Sequence, residues 1–212
     1  MSSSPTVSEG RVARRQARNR SALIAAARQI MSEKGIDAAT MAEIAQVADV
    51  GAGTVYNYFR SKEDLAVAVL EDLMLDLALK IEKVTDTFDD PGQVYAFGIR
   101  TVIDTATNDK RWRQLLNRSE VMANAMFRQM GPFAIRDLKN ATRAGRFKVD
   151  DAALTWKMAT HAIVGVALSV TAGELPVTVI DNCVVRLLCM TGIGRDDAVE
   201  LATRDRPALS AD

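Results

Sequence analysis

The sequence predicts an all-α protein in which a short N-terminal unit of three helices precedes a larger helical body. Three observations predict this. Apolar residues recur at helical spacing along nearly the whole chain, no stretch alternates as a half-buried strand would, and only five prolines interrupt 212 residues. Residues 1–10, MSSSPTVSEG, read as a disordered tail, residues 11–61 as the three-helix unit, and residues 62–212 as the body.

The first helix is expected over Val12–Lys34, with Leu23, Ile24, Ala27, Ile30 and Met31 on one face and Gly35 as its C-terminal stop. The second opens at Thr40-Met-Ala-Glu43, a capping box in which the Thr hydroxyl caps the N3 amide and the Glu carboxylate reaches back. Asp49-Val50 is a short turn, and a third helix covers Ala52–Tyr58. Ser61-Lys-Glu-Asp64 caps a long fourth helix running to about Val84, with acids where the helix dipole favours them. In the body, Asp90 and Pro91 start a helix through Phe97 and Val102. Asn108 or Asp109 caps the next segment, which runs towards Met130, and Gly131-Pro132 breaks it. Residues 133–144 are helical again, Asp150 caps a helix from 151 to Ala172, Val177–Met190 is the last long helix, and 196–202 is a short one.

The net charge is zero, so any nucleic-acid site must come from local clustering. Residues 1–64 hold 9 basic and 7 acidic side chains, and the interval from Arg11 to Arg28 contains six arginines and no acid. Arg14, Arg15 and Arg18 either reach DNA beside the main contact or lie on a solvated helix start. At 100° per residue, the third helix places Val55, Phe59, Ala52 and Tyr56 on a core arc. Gly53, Asn57, Thr54 and Tyr58 form an outer arc that is small, polar and uncharged. That composition suits a helix laid in the major groove: Asn pairs with adenine, hydroxyls reach phosphates, and a glycine permits close approach. By itself it also suits a plain amphipathic helix with packed tyrosines.

Residues 20–65 resemble the DNA-binding domain of the TetR family of bacterial transcription regulators. The likeness is carried by Ala26-Ala27, Gly35, Ala39-Thr40-Met41, Ile44-Ala45, Ala48-Asp-Val50, the run Gly53-Thr-Val-Tyr-Asn-Tyr-Phe59, and Ser61-Lys-Glu-Asp-Leu65. The resemblance implies a homodimer on a palindromic double-stranded operator, most simply a repressor released by a small apolar or amphipathic effector. It implies phosphate contacts from Thr40, Thr54, Tyr56, Tyr58 and Lys62, with Gly53 and Asn57 in the groove. Two positions depart from the family pattern: Asp49 stands where the turn usually has Gly, and Gly51 where the next helix usually has a Ser cap. Ala42 stands where some relatives carry a long base-contacting side chain.

The body offers a Met and aromatic cluster, Trp112, Met122, Met126, Phe127, Met130, Phe133 and Trp156, which is either core or the lining of an effector pocket. His161, the one histidine, is either a satisfied core residue or a ligand group. A track of small residues, Ala162, Gly165 and Ser169, with Ile180, Val184, Leu187 and Leu188 on the next helix, suits a dimer interface or an ordinary core. Cys183 and Cys189 point to opposite helix faces and read as thiols of a reducing compartment. The start of the chain has no apolar signal region, and the most apolar run, Ala159–Ala172, is shorter than a bilayer span, so a cytoplasmic protein without a membrane partner is expected. No catalytic constellation, cofactor loop or CxxC or HExxH metal spacing is present, so no enzyme and no cofactor is expected. The alternative to a DNA-binding regulator is a helical interaction module on the same scaffold.

Overall fold

A computed structural model describes residues 7–109, 112 and 119–209. Among the described residues there are nine helices and no strand, and the chain divides into two compact units, Met1–Asp72 and Leu73–Asp212.

The first unit holds α1 (Val7–Lys34), α2 (Met41–Val47), α3 (Ala52–Tyr58) and the start of α4 (Lys62–Thr85). Helix α1 begins five residues before the expected Val12, so residues 7–10 are helical rather than tail; residues 1–6 lie outside the described range. Leu23, Ile24, Ala27, Ile30 and Met31 are buried along one stripe. Gly35, at φ 90°, ends the helix, and its N–H donates to Met31 O at 3.0 Å. The α2 capping box is complete, with both the Thr40 hydroxyl and the Glu43 carboxylate engaged.

The α2–α3 turn depends on one backbone conformation. Asp49 sits at φ 53°, in the left-handed region where Asp is tolerated better than most residues. Its N–H donates to Gln46 O and that of Val50 to Ala45 O, at 3.2 and 3.0 Å. This pair of bonds is a Schellman motif, which satisfies two carbonyls that the helix end would otherwise orphan. Helix α3 is then held by Val55 and by its C-cap residue Phe59, both buried. Ala52 and Tyr56, expected on the core arc, are exposed. Seven residues fit against the domain along a narrower stripe than the wheel assigns.

The second unit contains the rest of α4, then α5 (Pro91–Asn108), α6 (Ser119–Arg143), α7 (Ala152–Thr171), α8 (Val179–Cys189) and α9 (Arg195–Thr203). The unit boundary falls inside α4, eleven residues after the expected 61/62 division. The expected cap at Asn108 or Asp109 opens a segment whose residues 110, 111 and 113–118 lie outside the described range; Asn108 ends α5 and Asp109 is its C-cap, while residues from Ser119 on belong to α6. Asp90 caps α5 at Gly92 N (2.8 Å) and also takes Arg204 at 2.9 Å and Arg146 at 3.4 Å. Burial alone would raise the Asp90 pKa; the Gly92 amide and the two arginines outweigh burial and hold it below the usual value.

Three expectations are corrected here. Gly131-Pro132 does not break the chain: α6 runs through both. Pro132 lies on the solvent-exposed side of the helix, where its ring and missing N–H are accommodated without breaking it. Asp151, not Asp150, caps α7, accepting from Ala153 N and Leu154 N at 2.9 Å each. Ile180, Val184, Leu187 and Leu188 are buried within their own chain, against α5, α7 and α9, and so do not present a dimer surface. On α7, Ala162 and Ser169 are half-buried and Gly165 is exposed.

Helix α7 is also longer than the run read from the sequence. By length and composition its 20 residues could cross a bilayer, yet seven of them, Trp156 and Ile163 included, are buried against neighbouring helices. Its exposed side carries Leu154 (56% exposed), Met158 (52%) and Gly165.

The capping box yields a pH prediction. Hydrogen bonds from Lys34 and then Thr40 hold the Glu43 carboxyl at about 2, against an ordinary 4.5. A depressed carboxylate pKa stabilises the fold fully above the unfolded value, and the contribution is lost as pH falls through the folded one. Thermal melts of wild type and Glu43→Gln between about pH 5 and pH 2 should therefore differ most at the upper end and converge at the lower. A difference independent of pH would mean that the carboxylate's charge is not what holds the α2 start.

Candidate functional site

Helix α3 turns an unusually bare polar surface to solvent. Gly53 and Asn57 are exposed, Tyr56 is 58% exposed, and Thr54 and Tyr58 are half-exposed. Among the described residues, none of the Thr54, Tyr56, Asn57 and Tyr58 side chains takes a hydrogen-bond partner, so their donors and acceptors are available to an external one. A Cβ built on Gly53 meets no protein atom within 4 Å. Nothing in the fold itself therefore requires a glycine at a helical position where alanine would be more stable.

The residues around α3 divide into supports and free groups. Arg20 lies over the Phe59 ring, 5.4 Å from its centroid, pinning the end of α3. The sequence reading had missed this pair, which joins residues 39 apart. Lys62 donates to Asp37 O at 2.7 Å, fixing the α1–α2 turn while leaving two ammonium protons for another acceptor. Thr40 is a cap: its hydroxyl donates to Glu43 Oε2 at 2.7 Å and accepts from Glu43 N at 3.3 Å, so the proton expected for a phosphate is already placed. Arg14, Arg15 and Arg18 are exposed on the projecting part of α1, a helix rather than an extended arm.

In the second unit a small cavity of about 40 Å³ lies between α4, α5, α6 and α7. Its walls are Ala78 and Ile81 of α4, Val94, Tyr95, Gly98 and Ile99 of α5, Met130, Phe133, Ala134 and Asp137 of α6, and Trp156 of α7. Of the expected cluster it gathers Met130, Phe133 and Trp156. Met122 and Met126 are fully buried in the core, and Phe127 faces a surface cleft beneath Lys157, whose ammonium lies 5.0 Å from the ring. Trp112 is buried beside a separate hollow near Leu77 and Thr105. His161 is exposed, with its Nδ1–H donating to Lys157 O at 2.8 Å, and is neither a core residue nor a cavity group.

Two buried side-chain atoms lack any hydrogen-bond partner among the described residues, Tyr95 Oη and Trp156 Nε1, both on residues that also line the cavity. Tyr95 is 3% and Trp156 2% exposed. Leaving such a group unpaired costs about 1–3 kcal/mol. Burial first, then the negative charge of Asp137, raises the Tyr95 pKa, so the phenol stays neutral. Asp137 receives Arg136 Nε and Nη2 at 3.0 and 2.7 Å, both on Oδ1, which leaves Oδ2 its acceptor capacity. Burial raises the Asp137 pKa against the opposing pull of Arg136. Tyr95, Asp137 and Gly98 were not singled out from the sequence. A signal existed: Met130, Phe133, Ala134 and Asp137 follow i, i+3, i+4, i+7, a lone acid on an apolar stripe, once the helix is read through Pro132.

Comparison with known proteins fits both units. Residues 23–69 match the model of bacterial regulatory proteins of the tetR family, and residues 90–204 match a tetracyclin repressor-like C-terminal domain. Among solved structures, RolR in complex with resorcinol is 29% identical, with a TM-score of 0.84, over 93% of this chain and all of that one. RolR without ligand gives 0.80 over 90%. The fatty acid degradation regulator FadR from Bacillus halodurans, 20% identical over 80% of this chain and 94% of its own, shares the fold at a TM-score of 0.59. No curated protein matches the sequence. The C-terminal match alone spans more than half of the sequence, and the chain belongs to the TetR family of bacterial regulatory proteins.

Proposed function

We propose that this regulator is a repressor which binds a palindromic operator as a homodimer and leaves it when a small molecule fills the α4–α7 cavity. The observation that carries the reading is the unpartnered polar face of α3 around an unfilled Gly53. Asn57 is the base-reading side chain; Thr54, Tyr56, Tyr58 and the spare protons of Lys62 serve phosphates, with Arg14, Arg15 and Arg18 adding non-specific attraction. DNA binding places the protein in the cytoplasm and asks no catalysis of it.

Two further observations support the remaining parts. The apolar exposed side of α7, with Leu154, Met158 and the uncrowded Gly165, suits a second copy of the chain laid against it. A Cβ at Gly165 meets nothing within 4 Å, so this glycine has no use in the isolated chain. The RolR structure with resorcinol supports a small-molecule effector. Effector binding would favour a dimer geometry whose recognition helices no longer match successive major grooves, about 34 Å apart.

Two outcomes check this. Gly53→Ala should hold or raise thermal stability, by up to about 1 kcal/mol, while Gly53→Ala and Asn57→Ala each weaken binding to a duplex selected from a random library by at least about tenfold. Selection that enriches no duplex at low salt would instead favour the interaction-module reading. Gly165→Arg and Met158→Asp should turn a sedimenting dimer into a folded monomer at micromolar concentration; a dimer that persists in both variants would place the interface elsewhere.

A further inference from the structure

We propose that the segment Arg204–Leu209 is a releasable strap which closes the hollow beside Trp112, and that a small uncharged aliphatic molecule takes the place of Leu209 there when the strap opens. This goes beyond the effector reading, because the hollow is separate from the α4–α7 cavity.

The path of the segment is set by α5. After Thr203 ends α9, the chain runs without helix or strand from Arg204 to Leu209. It starts beside the first turn of α5, where the Arg204 guanidinium meets Asp90 at 2.9 Å and Gln93 at 3.2 Å. Arg100, two turns further on, donates to Arg204 O at 2.7 Å. Arg206 then meets Asp104, and Leu209 stands with Thr105 and Asp109 at the far end of the helix. Five residues of extended chain reach about 17 Å, enough to follow α5 from Arg100 to its end, about 12 Å away.

The hold is electrostatic and shallow. Among the described residues, Arg204 N to Glu200 O is the last backbone hydrogen bond, and none fixes residues 205–209. Leu209 is the one half-buried apolar side chain of the segment; Pro207 and Ala208 are exposed. Both side chains of the Arg206–Asp104 pair are more than one-third exposed, so the pair contributes little and weakens with salt. Burial first, and then the charge of Arg206, lower the Arg100 pKa against the pull of Asp104 and Asp181. The segment thus brings a like charge to the helix that holds it.

What lies under the strap is space rather than packed core. The hollow measures about 210 Å³, against about 40 Å³ for the α4–α7 cavity. Leu73 and Leu77 of α4 and the buried Trp112 give it apolar walls. On the other side of Leu209 runs an open groove of about 580 Å³. Thr105, Asp109 and Leu209 line both spaces, and of these only Leu209 belongs to the segment, so lifting the segment joins the hollow to the groove. The ligand class follows from the walls and from the side chain it replaces. Lys80, the cation lining the hollow, is paired with Asp76 at 3.6 Å, so an anion finds its counter-charge engaged. An uncharged aliphatic group of leucine's bulk or somewhat more meets the leucines and the indole without giving up hydration of a charge.

The test uses the full chain with Trp156→Phe as parent, so that indole fluorescence reports Trp112 alone, and circular dichroism confirms that each variant keeps its helices. Arg206→Ala should raise acrylamide quenching of Trp112 by about threefold, with Arg206→Lys close to the parent. Leu209→Ala, which leaves the ion pair intact, should raise it by about fivefold. Raising sodium chloride from about 50 mM to about 0.5 M should bring the parent to the Arg206→Ala level and leave Arg206→Ala unchanged. Calorimetry then uses cyclohexanol, with cyclohexylamine and cyclohexanecarboxylate as charged counterparts. Cyclohexanol should bind Leu209→Ala about tenfold more tightly than the parent and shift the Trp112 emission. If quenching is the same in all variants and salts, the segment is not the cover of Trp112. If cyclohexanol binds the parent and Leu209→Ala alike, or a charged counterpart binds in its stead, Leu209 does not hold the place of an uncharged aliphatic ligand.

Discussion

The body of this protein is organised by the problem of covering α7. A helix of 20 residues that is apolar on nearly every side cannot be satisfied by a single packed face. Trp156, Ala159, Thr160, Ile163, Val164 and Ala167 bury one side against the neighbouring helices, yet only 33% of its most apolar stretch is buried in the chain. The packing against α6 is the most extensive between any two helices in the second unit, and it puts Trp156 at the back of the cavity. The uncovered side carries Leu154 and Met158. One helix thus supplies a wall of the proposed effector site and the proposed surface for a second copy, an arrangement in which a change at one is felt by the other only through a rigid element.

How the core treats its polar groups sets Tyr95 and Trp156 apart. Four of the five buried threonines among the described residues settle their hydroxyls locally. Thr85 donates to Glu82 O, Thr107 to Ile103 O, Thr160 to Lys157 O and Thr191 to Leu188 O, each within one helical turn. Such back-bonding needs no distant partner and costs little to arrange. Tyr95 and Trp156 have no local carbonyl within reach of their long side chains, and the fold provides none. Since native cores pair nearly all their buried polar atoms, these two are exceptions within this interior.

What could be read from the sequence follows the range of the interactions involved. The capping boxes, the stop at Gly35 and the short α3 are set by residues within four positions of one another, and they were legible. Asp49 was legible too, because a left-handed residue between two short helices is a local demand. The cavity was not, for a specific reason. Reading Pro132 as a break cut α6 in two and hid the stripe on which Asp137 stands beside Met130 and Phe133. Pro132 sits on the exposed side of α6, and the helix runs through it. The buried positions of α8 failed differently: periodicity shows that Ile180, Val184 and Leu187 share a face, but not whether that face meets its own chain or another.

The glycines tie the two units together in argument. Glycine in a helix costs about 1 kcal/mol relative to alanine, so a helical glycine wants a close neighbour as its reason. Gly92 has one, because a Cβ there would press on Arg146 and Asp90, and Gly131 has Trp156. Gly53 and Gly165 have none within 4 Å, and Gly98 has only one methyl group at 3.9 Å. These three lie on the face assigned to DNA, the face assigned to a second copy and the wall assigned to the effector. A sequence that keeps empty space at three costly positions, each where a partner from outside the chain is to fit, is better explained by those partners than by the fold of the isolated chain.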